Sequence, residues 1–194
     1  MIDPDTSLIE GAFAVCTALD AAGFTAVLCG GSAATFYAPD AYMSADNDFV
    51  LTVELSRREI SAIIAPLGFR EQGRIYVHDA VGWSVDFPRG PLAIGREVVT
   101  KWSTERRNDQ VLHVITATDS VRDRFMHYWA WNDYSGLVQA IAVAKAQPDH
   151  VDRDAFRAWT EAEIEAAPIY DRHAVDTFFK TLDEDTTSDR RGPI

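Results

Sequence analysis

The residues best able to do chemistry lie in two neighbouring stretches, Cys29-Gly30-Gly31-Ser32 and Asp46-Asn47-Asp48-Phe49-Val50-Leu51. An apolar run, residues 24–28, leads into the double glycine and the serine. Asp46 and Asp48 then open a second apolar run. Residues i and i+2 of a strand project to the same face. Asp46 and Asp48 are therefore expected side by side, with Phe49, Leu51 and Val53 turned into a core. Paired carboxylates at a strand end suit a hard divalent cation, which prefers oxygen ligands. A glycine pair between strand and helix lets a polyanion approach backbone N–H groups, and the helix N-terminus adds its dipole. The combination suits a nucleoside triphosphate held with magnesium.

Blander readings exist for each part. Asp46 and Asp48 would serve equally as turn caps, and a glycine pair is often only a tight turn. A calcium loop of the EF-hand kind is excluded, because Val50 stands where another oxygen ligand belongs. The five histidines are scattered without zinc spacing. No Walker A, Gly-x-Ser-x-Gly or paired Cys-x-x-Cys pattern occurs.

Gly31-Ser32, thirteen intervening residues and then Asp46-x-Asp48 resemble the signature of the DNA polymerase β-like nucleotidyltransferase superfamily. That signature joins Gly-Gly or Gly-Ser to an Asp-x-Asp or Asp-x-Glu set between apolar residues. The family adds a third carboxylate on a later strand, and Trp83-Ser84-Val85-Asp86-Phe87 supplies a matching segment with Asp86. The resemblance covers residues 24–90. It departs from the pattern at Asn47, where the family usually has an aliphatic residue.

The resemblance implies an α/β (α+β) fold, a nucleotidyltransferase-type mixed sheet flanked by helices and followed by a C-terminal helical bundle. It implies transfer of a nucleoside monophosphate from an NTP to a hydroxyl acceptor, with release of pyrophosphate. Two magnesium ions (or manganese) about 4 Å apart stabilise the attacking and leaving oxygens in such a site. By the same resemblance Asp46 and Asp48 hold the metals, while Asp86 holds the ion at the acceptor hydroxyl and acts as base. Gly30, Gly31 and Ser32 cradle the phosphates, with the Ser32 hydroxyl donated to them. The small chain is similar to stand-alone nucleotidyltransferases found as toxins of toxin–antitoxin systems and as antibiotic-modifying enzymes. A protein side chain, a tRNA end or a small molecule such as an aminoglycoside would be the acceptor, and a cognate antitoxin a possible partner. The alternative from another class is a nucleotidyltransferase-fold protein that binds or regulates without catalysis.

These residues need elements to position them. Ser7-x-x-Glu10 and Ser56-x-x-Glu59 are capping boxes that open helices over 7–22 and 56–67. Residues 24–29 read as a short buried strand, 32–37 as a short helix and 46–53 as a strand. Alternating segments follow at 69–72, 74–78 and 83–87, with a hairpin turn at 79–82. Two further strands are expected at 98–102 and 111–115. Four helix-length segments then span 119–131, 135–147, 152–166 and 172–182. The domain reading is a catalytic part over 1–117, a helical part over 118–182 and a charged, disordered tail over 183–194.

Within the helical part, Phe125, Tyr128 and Trp129 share one helical face and read as core between sheet and helices. Lys145 sits in an otherwise apolar helical stretch. It either reaches triphosphate oxygens or snorkels to solvent. Arg122 and Arg124 are explained by helix ion pairs with Asp119 and Asp123.

Composition sets limits. The 194 residues have 47% hydrophobic and 25% charged content, ordinary for a globular chain with a proper core, and a net charge of −12. Both halves are acidic, so long DNA is an unlikely substrate, since a polyanion binder normally carries a basic stripe. The best local basic candidates are Arg57-Arg58 and Arg106-Arg107. The acidic balance suits a cationic acceptor such as an aminoglycoside. No run has the length of a membrane span and no secretory leader is evident, so a cytoplasmic location is expected. Cys16 and Cys29 lie in apolar settings and read as buried thiols.

Overall fold

A computed structural model of the chain describes residues 2–188. Its N-terminal part runs α1 (Leu8–Ala21), β1 (Ala26–Cys29), α2 (Gly30–Tyr37), β2 (Asp46–Leu51) and α3 (Arg57–Ile64), which a 3₁₀ turn extends over Ala65–Leu67. Six short strands and a seventh complete the β portion, from β3 (Arg70–Gln72), β4 (Ile75–Val77) and β5 (Ser84–Asp86) to β6 (Ala93–Ile94), β7 (Glu97–Val98), β8 (Ser103–Arg107) and β9 (Gln110–Val114). Four helices close the chain: α4 (Ala117–Trp131), α5 (Tyr134–Ala146), α6 (Arg153–Ala166) and α7 (Arg172–Ser188). Both capping boxes form, with Ser7 and Ser56 each exchanging hydrogen bonds with the glutamate three residues on.

Seven strands make one mixed sheet in the order β3-β4-β5-β2-β1-β9-β8. β2 runs parallel to β5, and β1 parallel to β9. The other neighbours are antiparallel. One face is packed on α1 and α3. Leu28, Phe49 and Val85 lie on it, all buried, and Phe87 stacks on Phe49 with ring centroids 6.1 Å apart. The Trp83 ring lies against Gly11 of α1, and its indole N–H donates to the Thr6 carbonyl at 3.1 Å.

Three expectations shift. β2 ends at Leu51, so Val53 lies beyond it and is 62% exposed instead of buried. The strand paired with β9 is Ser103–Arg107, not the apolar 98–102 segment. As the sheet's outer strand it needs only one hydrogen-bonded neighbour, and buried Val111, Leu112 and Val114 of β9 supply the apolar surface. Val98 instead belongs to the two-stranded β6–β7 hairpin. That hairpin is clasped to α6, where the Arg96 N–H and guanidinium donate to buried Glu163 at 3.2 and 3.4 Å.

The aromatic stretch is core, but core of the helical part. Phe125 is fully buried and meets Trp129, Phe156 and Phe178 at centroid distances of 4.8, 5.3 and 5.7 Å. The buried cluster is continuous across residues 117–118. α7 runs helical to Ser188, past the expected start of the tail at 183. The rest of that expectation, residues 189–194, lies outside the described residues. Among the described residues no helix is long and apolar enough to cross a membrane. Cys16 and Cys29 are buried free thiols.

Candidate active site

Register brings the expected carboxylates together. β1, β2 and β5 are consecutive in the sheet, and Cys29 pairs with Asp48, Asp48 with Asp86, and Asp46 with Ser84. Paired residues of neighbouring strands share a face about 4.8 Å apart. Asp46, Asp48 and Asp86 therefore stand on one face, at the point where β1 turns into α2. This is the face opposite Asn47, Phe49 and Val85.

The electrostatics follow from this crowding. Burial, then the charges of Asp46 and Asp86, push the Asp48 carboxyl up to about 7. No described residue donates a hydrogen bond to that carboxylate. Asp46 accepts one from the Ser44 hydroxyl at 3.1 Å, and Asp86 accepts one from the Phe87 N–H at 2.8 Å. Each of these side chains is oriented by its own neighbourhood.

Gly30 makes the close approach possible. Its φ is +67°, and a Cβ there would lie 2.5 Å from an Asp48 carboxylate oxygen. Only glycine combines the left-handed backbone with the space the carboxylate takes. Ser32 does something other than expected. It sits within α2, whose N-cap is Cys29, and is fully buried. Its hydroxyl donates to the Cys29 carbonyl at 2.9 Å and accepts from the Asp48 N–H at 3.4 Å. The hydroxyl thus fixes β2 to the β1–α2 turn.

Asn47, the departure from the family pattern, points away from the carboxylates. It is fully buried, and its amide donates to the Leu8 carbonyl at the start of α1 at 3.0 Å. Its own carbonyl oxygen has no partner.

Lys145 is not brought to this cluster. It is exposed in the last turn of α5. Two residues on, the Gln147 amide donates to the Tyr37 carbonyl at 2.9 Å, which sets this end of α5 against the far end of α2. The eight residues of α2 put about 12 Å between its ends. The cation that acts on Asp48 is Arg124 of α4, which lowers its pKa against the larger opposing effects. Arg124 is mostly buried and paired with Asp123 at 2.7 Å. Local sequence explains that ion pair, and only the docking of α4 on α2 brings its charge to bear on Asp48.

Among the described residues no three His, Cys, Asp or Glu side chains already close around a cation position. The donor chemistry nonetheless fits magnesium, which takes one or two carboxylates and completes its shell with water and phosphate oxygens. A half-buried carboxyl pushed upward by two like charges is also what a cation would relieve.

No protein-family model and no curated protein matches the chain. Solved structures similar to it include an antigenic nucleotidyltransferase-like protein from Paracoccidioides brasiliensis, 12% identical, with a TM-score of 0.56 over 84% of this chain and 90% of that one. The antibiotic-resistance factor ANT(2'')-Ia in its solution structure is 16% identical, with a TM-score of 0.50 over 82% of this chain and 92% of that one. At these identities the likeness is one of fold. The mixed sheet, flanking helices and C-terminal helices are those of nucleotidyltransferase-like proteins.

Proposed function

We propose that the chain is a magnesium-dependent nucleotidyltransferase that moves a nucleoside monophosphate from an NTP to a hydroxyl acceptor. The observation that carries this reading is the register that sets Asp48 beside Asp86, with Asp46 on the same face and the glycine turn next to them. The shared fold supports it, since one similar structure is a nucleotidyltransferase-like protein and the other an antibiotic-resistance factor.

Each residue has a task. The first-turn N–H groups of α2 and its dipole bind the triphosphate. Asp46 and Asp48 hold magnesium, and Asp86 faces the acceptor side. When bound, magnesium supplies positive charge to the triphosphate and to the attacking oxygen. Asp86 takes the proton of the acceptor hydroxyl as that oxygen bonds to the α-phosphorus. The bond from the α-phosphorus to the bridging oxygen breaks, and pyrophosphate leaves. Ser32 acts as a positioning residue, because its hydroxyl holds the Asp48 backbone.

The test is incubation of the full chain with each α-labelled NTP, magnesium and a native cell lysate. The reading expects a labelled acceptor with wild type and none with Asp48→Asn. NTP binding without any labelled acceptor would contradict it and favour a binding or regulatory protein.

A further inference from the structure

A groove of about 1030 Å³ opens beside Asp86, and none of its lining residues comes from the 29–48 stretch that forms the proposed nucleotide site. It lies between the first turn of α3, the start of β4 and the segment that follows β5. Three arginines line it, Arg57, Arg74 and Arg89, against two carboxylates, Glu54 and Asp86. Its aromatic wall includes Tyr76.

Two of these three arginines have no carboxylate partner among the described residues. Acids outnumber bases thirty to eighteen, so a surface arginine readily finds a carboxylate. Arg70, Arg96, Arg122, Arg124, Arg153 and Arg172 all do, while Arg58, Arg106, Arg107 and Arg157, which lie outside the groove, form no ion pair among the described residues. Arg74 and Arg89 form no ion pair among the described residues. Arg57 pairs through its Nε with Glu71 at 2.7 Å, and its guanidinium lies 5.8 Å from the Tyr76 ring centre. Guanidinium groups with open donors match phosphate oxygens bidentately. A cationic acceptor entering here would meet the like charges of Arg74 and Arg89 beside the carboxylates Glu54 and Asp86.

We propose that the acceptor is a phosphate-bearing hydroxyl compound, with its phosphate seated on Arg57, Arg74 and Arg89 and its hydroxyl at Asp86. This rests on the nucleotidyltransferase reading. The acceptor phosphate binds and does not react. The hydroxyl oxygen attacks the α-phosphorus of the NTP, its proton passes to Asp86, and pyrophosphate departs. A small phosphorylated metabolite and the end of an RNA share this chemistry.

Calorimetry on the full chain with magnesium and an unreactive NTP analogue tests it. The probes are ribose 5-phosphate against ribose, adenosine 5′-monophosphate against adenosine, a triuridylate RNA, and tobramycin. Each monophosphate is expected to bind at least about tenfold more tightly than its neutral counterpart. The double variant Arg74→Glu, Arg89→Glu should abolish that preference, leaving affinity for the NTP analogue within about twofold, whereas Arg74→Lys, Arg89→Lys should retain most of it. Preference for triuridylate would point to an RNA end, and preference for the monophosphates to a small acceptor. Tighter binding of tobramycin than of every phosphorylated probe would overturn the proposal. So would an equal loss of NTP-analogue affinity in the charge-reversal variant, since the groove would then be part of the nucleotide site. Labelled transfer, measured separately, decides the enzyme reading, so phosphate preference without transfer would sink that reading and not the groove's ligand class.

Discussion

Asp48 titrates between two other carboxylates, and its folded-state pKa of about 7 compares with an ordinary 3.8. Between those values the folded chain binds more protons than the unfolded one. The Asp48 contribution to stability therefore falls as pH rises through this window, and the full penalty applies above it. Asp48→Asn should flatten this dependence. Magnesium bound as proposed would take the ionised group, so its stabilising effect should grow over the same window by mass action. Thermal melts from about pH 5 to pH 8, with and without magnesium, check both statements. An Asp48→Asn protein that still gains stability from magnesium as wild type does would remove Asp48 from the metal site. Gly30→Ala places a methyl on the Asp48 carboxylate and a side chain at positive φ, a strain of about 1–2 kcal/mol. Its expected result is lost NTP–magnesium affinity with a chain that still folds, read by calorimetry and circular dichroism. The carboxylates and the glycine turn were legible in the sequence because residue type and short spacing carry their chemistry. The Ser32 hydroxyl was not, because its partners are set by the β1–β2 register. The surroundings of Lys145 were not legible either, because an apolar helix identifies a buried face without saying which end of a neighbouring helix it meets.

At the scale of elements, the site depends on how β2 is anchored from behind. Asn47 ties it to the first turn of α1, so the residue between the two ligands serves packing. Asn47→Asp would bury a carboxylate against the Leu8 carbonyl, with an expected loss of about 3–5 kcal/mol at neutral pH. That loss should shrink as pH falls and the new group protonates, which denaturant melts at two pH values would show. Asn47→Leu should leave the magnesium response intact, and a lost response would make Asn47 part of the metal site. Gly11 is a second anchor. An added Cβ would stand 2.0 Å from the Trp83 ring, so Gly11→Ala must displace β5's leading residue or α1. A loss of about 1–3 kcal/mol is the usual result of overpacking, measurable by urea unfolding, and unchanged stability would show that the contact yields freely. The starts of α1 and α3 were readable from their capping boxes, and strands 69–72, 74–78 and 83–87 from alternation. β8 was hidden because an outer strand of polar residues, Ser103 to Arg107, has no apolar period to read.

The whole molecule combines an acidic surface with one arginine-lined groove at Asp86, and a core that runs unbroken from the sheet into α4–α7. Net charge was readable from composition, but the groove gathers residues from α3, β4 and the segment after β5, which only the fold brings together. In the proposed site one face carries two kinds of ligand, those that bind nucleotide and one that serves the acceptor. NTP–magnesium affinity by calorimetry, alongside labelled-NMP transfer to the lysate acceptor, measures both in Asp86→Ala and Asp46→Ala. Asp86→Ala should keep affinity within about tenfold, roughly 1.4 kcal/mol. Its transfer rate should fall by several orders of magnitude, because interactions made in the transition state appear in the rate. Asp46→Ala should lose both. An Asp86→Ala protein that transfers at the wild-type rate would contradict the account.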